Sequence, residues 1–145
     1  MIHFPQNCKF VVGLAPISIN SGAATALTCD TLGYNYATAI IQFGVIGSAA
    51  TVMKMQESAT DFSGADVGTA YTATGSTGNL RLPQTSDAGT TFVYGIPLGG
   101  ARKRYLQMAI TTGSTTLVSV QWVLSKANIF PNSATEMGVA AYVFG

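Results

Sequence analysis

A single histidine, six carboxylates and two cysteines are the first residues of this chain to weigh for acid–base, nucleophilic or metal chemistry. His3 has no local partner to position it as a general acid or base, so it reads as an exposed residue of an N-terminal arm. Glu57, Asp61 and Asp66 lie close enough in sequence to converge on a cation, since Ca²⁺ takes carboxylate and carbonyl oxygens from loops. Their spacing is not that of an EF-hand, and a solvated loop with Asx-turns accounts for them better. Cys8 and Cys29 lack metal-ligand spacing and read as two free, buried thiols. No Gly-x-Ser-x-Gly occurs, the glycines at 64, 68, 75 and 78 have no phosphate-loop context, and nothing selects a carboxylate pair for glycoside cleavage. The expectation is a protein that is not an enzyme and holds neither cofactor nor metal.

The scarcity of charge points elsewhere. Only 9% of residues are charged, against 48% hydrophobic, where soluble domains carry about 25% charged residues. A monomer so poor in charge is badly protected against association, so much of its surface is expected to be covered by other protein. A net charge of +1 supplies no field to draw in nucleic acid. No stretch reaches the ~18 apolar residues of a membrane span. The start, Met1 to Gln6, lacks the basic and apolar regions of a secretory signal, which predicts an intracellular product. The 145 residues suit one domain with a core of its own.

Apolar residues recur with a period of two. Ile41, Phe43 and Val45 share one strand face; Met53 and Met55 point one way, with Lys54 and Gln56 the other. These two runs, joined across Gly47-Ser48, read as a hairpin. Thr91 to Leu98 forms a further segment, ending at Gly99-Gly100. Leu106, Met108 and Ile110 then alternate, and after Thr112-Gly113-Ser114 so do Val118, Val120, Trp122 and Leu124. Phe10–Val12 and Ala141–Phe144 are weaker strand candidates. Many short strands with frequent turn signals predict an all-β sandwich or barrel, with helices of a single turn at most.

Three segments together resemble a group of small structural proteins of tailed phages. They are Cys29-Asp30-Thr31-Leu32-Gly33-Tyr34-Asn35-Tyr36-Ala37-Thr38, Met53-Lys54-Met55-Gln56-Glu57-Ser58 and Arg102-Lys103-Arg104-Tyr105-Leu106. The resemblance runs from about residue 25 to 126 and departs after Glu57-Ser58, where Ala59-Thr60 replaces an acidic pair. It implies an all-β, single-domain antiparallel β-sandwich, jelly-roll-like, acting as a capsid decoration or cement protein. It further implies a homotrimer that binds the major capsid protein on the exterior of the virion, after synthesis in the host cytoplasm. On this reading residues 1–12 are an N-terminal arm and 13–145 the sandwich.

The partner-binding candidates are Ile2, His3 and Phe4, apolar or exposed positions of the arm, together with Arg102, Lys103 and Arg104. The latter hold three of the seven cationic residues and suit an acidic capsid or subunit surface, the alternative being a solubilising strand entry. Tyr34, Tyr36, Tyr105 and Trp122 raise a second functional class, a virion carbohydrate-binding module. Trp122, in phase with Val118 and Val120, is expected in the core instead.

Overall fold

A computed structural model describes residues 7–24, 26–61, 69–71, 81–99, 102–128 and 133–141. Its strands are β1 (Lys9–Ile19), β2 (Gly22–Ala23), β3 (Cys29–Asp30), β4 (Tyr34–Ile46), β5 (Ala50–Ser58), β6 (Thr69–Tyr71), β7 (Thr91–Pro97), β8 (Tyr105–Thr112) and β9 (Thr116–Ala127). One helical turn follows, α1 (Ala134–Met137), capped by the Ser133 hydroxyl accepting from the Glu136 N–H and ended by left-handed Gly138.

The strands form two antiparallel sheets. One has the order β1-β9-β4-β7; the other has β2-β8-β5-β6, with β3 also pairing β8. Six of the eight connections cross from one sheet to the other, an interleaving that makes the β-sandwich jelly-roll-like. The alternating residues supply its core. Ala37, Ala39, Ile41, Val118, Val120, Trp122, Leu124 and Ile96 face Met53, Met55, Leu106, Met108 and Ile110, all essentially inaccessible. Phe43 and Phe92 meet edge to face at 5.4 Å across neighbouring strands of the first sheet.

Three expectations are corrected. The runs around Ile41 and Met53 are not a hairpin: β4 pairs β7 and β9, while β5 pairs β6 and β8. The link after Ile46 is a corner between sheets. The Gly47 N–H donates to the Thr115 carbonyl at 2.8 Å, clasping this corner to the one between β8 and β9. A side chain at Gly47 would meet that carbonyl at 2.8 Å. Val45 does not share the face of Ile41 and Phe43. The register slips between Phe43↔Val118 and Ile46↔Thr116, so Val45 is 64% exposed and Ile46 is buried instead. Gly44 sits in this bulge because a side chain there would lie 2.8 Å from Leu117 Cδ2. Finally, β1 begins at Lys9, so residues 9–12 belong to the sheet and not to an arm. Two register shifts, beside Gly13 and before Ile17, break the alternation that would have revealed this long strand. Of the weak C-terminal candidate, Ala141 is outside any strand and the remainder lies outside the described residues, as do residues 64–68 and 75–79.

Candidate partner-binding surfaces

The three segments that carry the family resemblance come together at one end of the second sheet. Cys29 and Asp30 pair with Leu106 and Tyr105 on one side of β8; Glu57 and Ser58 pair with the same two residues on the other. The Thr31 N–H donates to the Arg104 carbonyl at 3.1 Å. Arg104 then grips Asp30 through two hydrogen bonds, Nε to Oδ1 at 2.7 Å and Nη2 to Oδ2 at 2.6 Å, with its guanidinium over the Tyr105 ring. This fork holds the Asp30 carboxyl below the usual carboxylate range, aided by the Leu32 N–H. Glu57 continues the inward parity of Met53 and Met55 into the sandwich end and is 8% exposed. Its Oε2 meets Arg102 Nη1 at 3.3 Å.

Arg102 and Arg104 therefore answer acids of their own chain and fasten the entry of β8 to β3 and β5. Lys103, between them, is half-buried. The cluster is a latch with its charge largely balanced, which the run of cations in sequence did not reveal: Asp30 and Arg104 are 74 positions apart. Ile2, His3 and Phe4 lie outside the described residues, as does Asp66. Thr28 Oγ1 donates to the Asp61 main-chain carbonyl at 2.7 Å. Among the described residues no three His, Cys, Asp or Glu side chains form a metal-sized group. Cys8 and Cys29 are free and buried; burial pushes the Cys29 thiol up to about 12 and the Cys8 thiol upward too.

Among the described residues, the four aromatic candidates Tyr34, Tyr36, Tyr105 and Trp122 form no open stacking platform. Trp122 is wholly buried, Arg104 covers Tyr105 at 5.0 Å, and Lys126 Nζ stands 5.6 Å from the centre of the Tyr36 ring. Tyr34 is half-buried against the core, and that burial raises its hydroxyl pKa. No helix among the described residues is long and apolar enough to cross a membrane.

The surface that stands out is the outward face of the first sheet. Its four strands contain only two charged residues, Lys9 and Lys126, and both sit at strand ends. Between them the outward positions are Val12, Pro16 and Ser18 on β1, Leu117, Ser119 and Gln121 on β9, Ile40 and Gln42 on β4, and Val93 on β7. Val12, Leu117 and Val93 are 48%, 44% and 61% exposed. Small Ser119 lets the face sink between β1 and β4, leaving two adjoining hollows of about 180 and 210 Å³ walled by Val12, Pro16, Leu117, Gln42 and Gln121. Scattered exposed hydrophobic residues need no explanation; a sheet face whose charges are confined to its strand ends is unlike an ordinary solvated surface. The opposite sheet is different, carrying Lys54 at an outward position of β5. This face was visible in the sequence as four strands with no charge except at the ends of β1 and β9, but only the sheet order places them side by side. No protein-family model matches the chain, no curated protein matches it, and no solved structure matches it.

Proposed function

We propose that this protein is a structural protein of a tailed-phage virion, a decoration or cement protein that binds the outside of the icosahedral head and holds major capsid subunits together. The observation that carries the reading is the charge-free outward face of the β1-β9-β4-β7 sheet. A broad neutral face with apolar walls and amide and hydroxyl groups is built to lie against another protein and keeps little of a solvated surface's character. The jelly roll and the three ordered motif segments support the same reading. The motif segments secure the sandwich end, and the sheet face makes the contact.

The mechanism is thermodynamic linkage. A ligand that binds the assembled shell and not its loose subunits stabilises the shell by RT ln(1 + [L]/Kd), about 2.7 kcal/mol per site at a hundredfold excess over Kd. Repetition over a lattice multiplies that increment. The test is to purify heads without tails and count copies of this chain on them. Many copies per head, and a rise in the temperature at which stripped heads disrupt when the protein is added back, support the reading. A few copies confined to the tail, or no effect on head disruption, reject it.

A further inference from the structure

The same sheet has two edges, and they are finished differently. At β1 the edge is irregular: two bulges interrupt it, Pro16 lies within it, and the Gly13 carbonyl accepts the Leu27 N–H at 2.7 Å, so the chain covers its own edge. Strand β7 has no bulge, and its proline, Pro97, falls at its last residue. Its register with β4 runs without a slip from Tyr36↔Pro97 to Gln42↔Thr91, and it carries no charge. In the other sheet, β2, β3 and β6 are only two or three residues long, short edges of the kind that resist strand addition.

The orientation of β7's backbone follows from the ladder's ends. The Phe43 N–H donates to the Thr90 carbonyl at 3.0 Å and the Leu98 N–H to the Asn35 carbonyl at 2.9 Å. Because hydrogen-bonded and non-bonded pairs alternate in an antiparallel ladder, residues 90, 92, 94, 96 and 98 turn their amides and carbonyls toward β4. Thr91, Val93, Gly95 and Pro97 turn theirs outward, and all four are exposed. Among the described residues, none of these outward backbone groups takes part in a hydrogen bond.

We propose that β7 is a self-pairing edge, and that its occupant is β7 of a second copy, antiparallel about a two-fold axis at Val93. This register sets Val93 opposite Val93 and Thr91 opposite Gly95, so all three outward N–H groups of each strand find a carbonyl. It leaves Pro97, which has no N–H, just outside the ladder. A shift that centres the axis between Val93 and Gly95 makes the same number of hydrogen bonds but sets Thr91 opposite Pro97, leaving each Thr91 carbonyl inside the ladder facing a proline ring with no donor. The strand is thus self-complementary with no unpaired group inside the ladder only in the Val93-centred register, as an isologous contact favours. With no charge on the strand, no like-charge pair opposes it. Gly95 keeps the strand low beneath the Tyr36 hydroxyl, where any Cβ would collide. Pairing extends one four-stranded sheet into an eight-stranded one and joins two uncharged faces into a single wider face. The inference does not rest on the decoration reading, and it gives a dimer where the family resemblance implies a trimer.

The experiment measures mass by sedimentation equilibrium at roughly 100 μM, a concentration that populates even a weak contact, for the wild type, Val93→Lys and Val93→Cys. The wild type should be dimeric. Val93→Lys puts two ammonium groups face to face at the axis and should be monomeric with an unchanged far-ultraviolet circular dichroism spectrum. Val93→Cys should form a disulfide-linked dimer on oxidation, since bonded antiparallel partners sit about 5.5 Å apart at Cα, within disulfide reach. Leu117→Cys, on the face and away from the edge, should not. A monomeric or trimeric wild type overturns the proposal, and so does a dimer that survives Val93→Lys or fails to cross-link through residue 93. Each of these outcomes can occur whether or not the protein binds heads.

Discussion

Gly13 is the most exposing position in the sheet that carries the proposed contact face. It lies at the first bulge of β1, pressed against the indole of the fully buried Trp122. A methyl group at residue 13 would fall 2.6 Å from Trp122 Nε1, 2.7 Å from Cδ1 and 3.0 Å from Val120 Cγ1. All three are closer than van der Waals contact, and a wholly enclosed indole has no room to swing aside. Overpacking of this kind costs about 1–3 kcal/mol. For a chain of 145 residues that corresponds to a fall in Tm of roughly 3–12 °C. A sharper demand comes through Trp122→Phe, which removes the nearest clashing atom, Nε1, an indole N–H with no hydrogen-bond partner, and leaves a smaller ring with room to move off residue 13. In the Trp122→Phe background the Gly13→Ala change should be nearly neutral, giving a coupling of about 1–2 kcal/mol in a double-mutant cycle. Thermal and urea unfolding, followed by circular dichroism because the only tryptophan is replaced, supply the four stabilities. Equal losses in the two backgrounds, or a Gly13→Ala protein as stable as the wild type, would refute the packing described for β1 on β9.

Three further outcomes are expected. Ile46→Ala should cost about 2–5 kcal/mol and Val45→Ala should stay within about 0.5 kcal/mol, the reverse of what strict alternation from Ile41 demands; chemical denaturation decides between them. Asp30→Asn should destabilise at neutral pH. Because the folded-state pKa of Asp30 lies below its ordinary value of 3.8, the wild type's advantage should hold above that value and fade as pH falls through the depressed folded pKa; an unchanged gap in Tm down to acid pH contradicts the Arg104 fork. Cys8 and Cys29 should resist a thiol-alkylating reagent at pH 8 in the folded protein and react on unfolding; rapid labelling of the native chain contradicts their burial.

The parts of the fold that were legible in the sequence are those set by one strand's own alternation. Met53 and Met55, Leu106 to Ile110 and Val118 to Leu124 all turn inward as their period requires. What was hidden is whatever depends on a second strand. Which runs pair is decided by non-local contacts: the side chains that make β4 half-buried are satisfied equally by a hairpin or by a sandwich wall, and only packing of the complete core selects the latter. Bulges are hidden for a related reason. One extra residue at Gly44-Val45 moves Ile46 to the core, and the deletion of a side chain at Gly44 signals it only when Leu117 is known to lie opposite. The cationic run at 102–104 pointed outward by composition, whereas the fold brings Asp30 and Glu57 to meet it. The neutral sheet face was present as strands with no charge except at the ends of β1 and β9, but adjacency gave it meaning.

The central claim, that the charge-free sheet face is the surface that meets the capsid, is tested most directly by occupancy on heads. Val12→Glu combined with Leu117→Glu places two carboxylates on half-exposed positions of that face, while Ala109→Glu places one on the outward side of β8 in the other sheet, opposite Lys54. Stripped heads are incubated with each protein, and bound copies per head are counted after sedimentation. The account predicts that Val12→Glu/Leu117→Glu stays folded yet leaves heads bare, and that Ala109→Glu binds like the wild type. Wild-type occupancy by the folded double variant would contradict it.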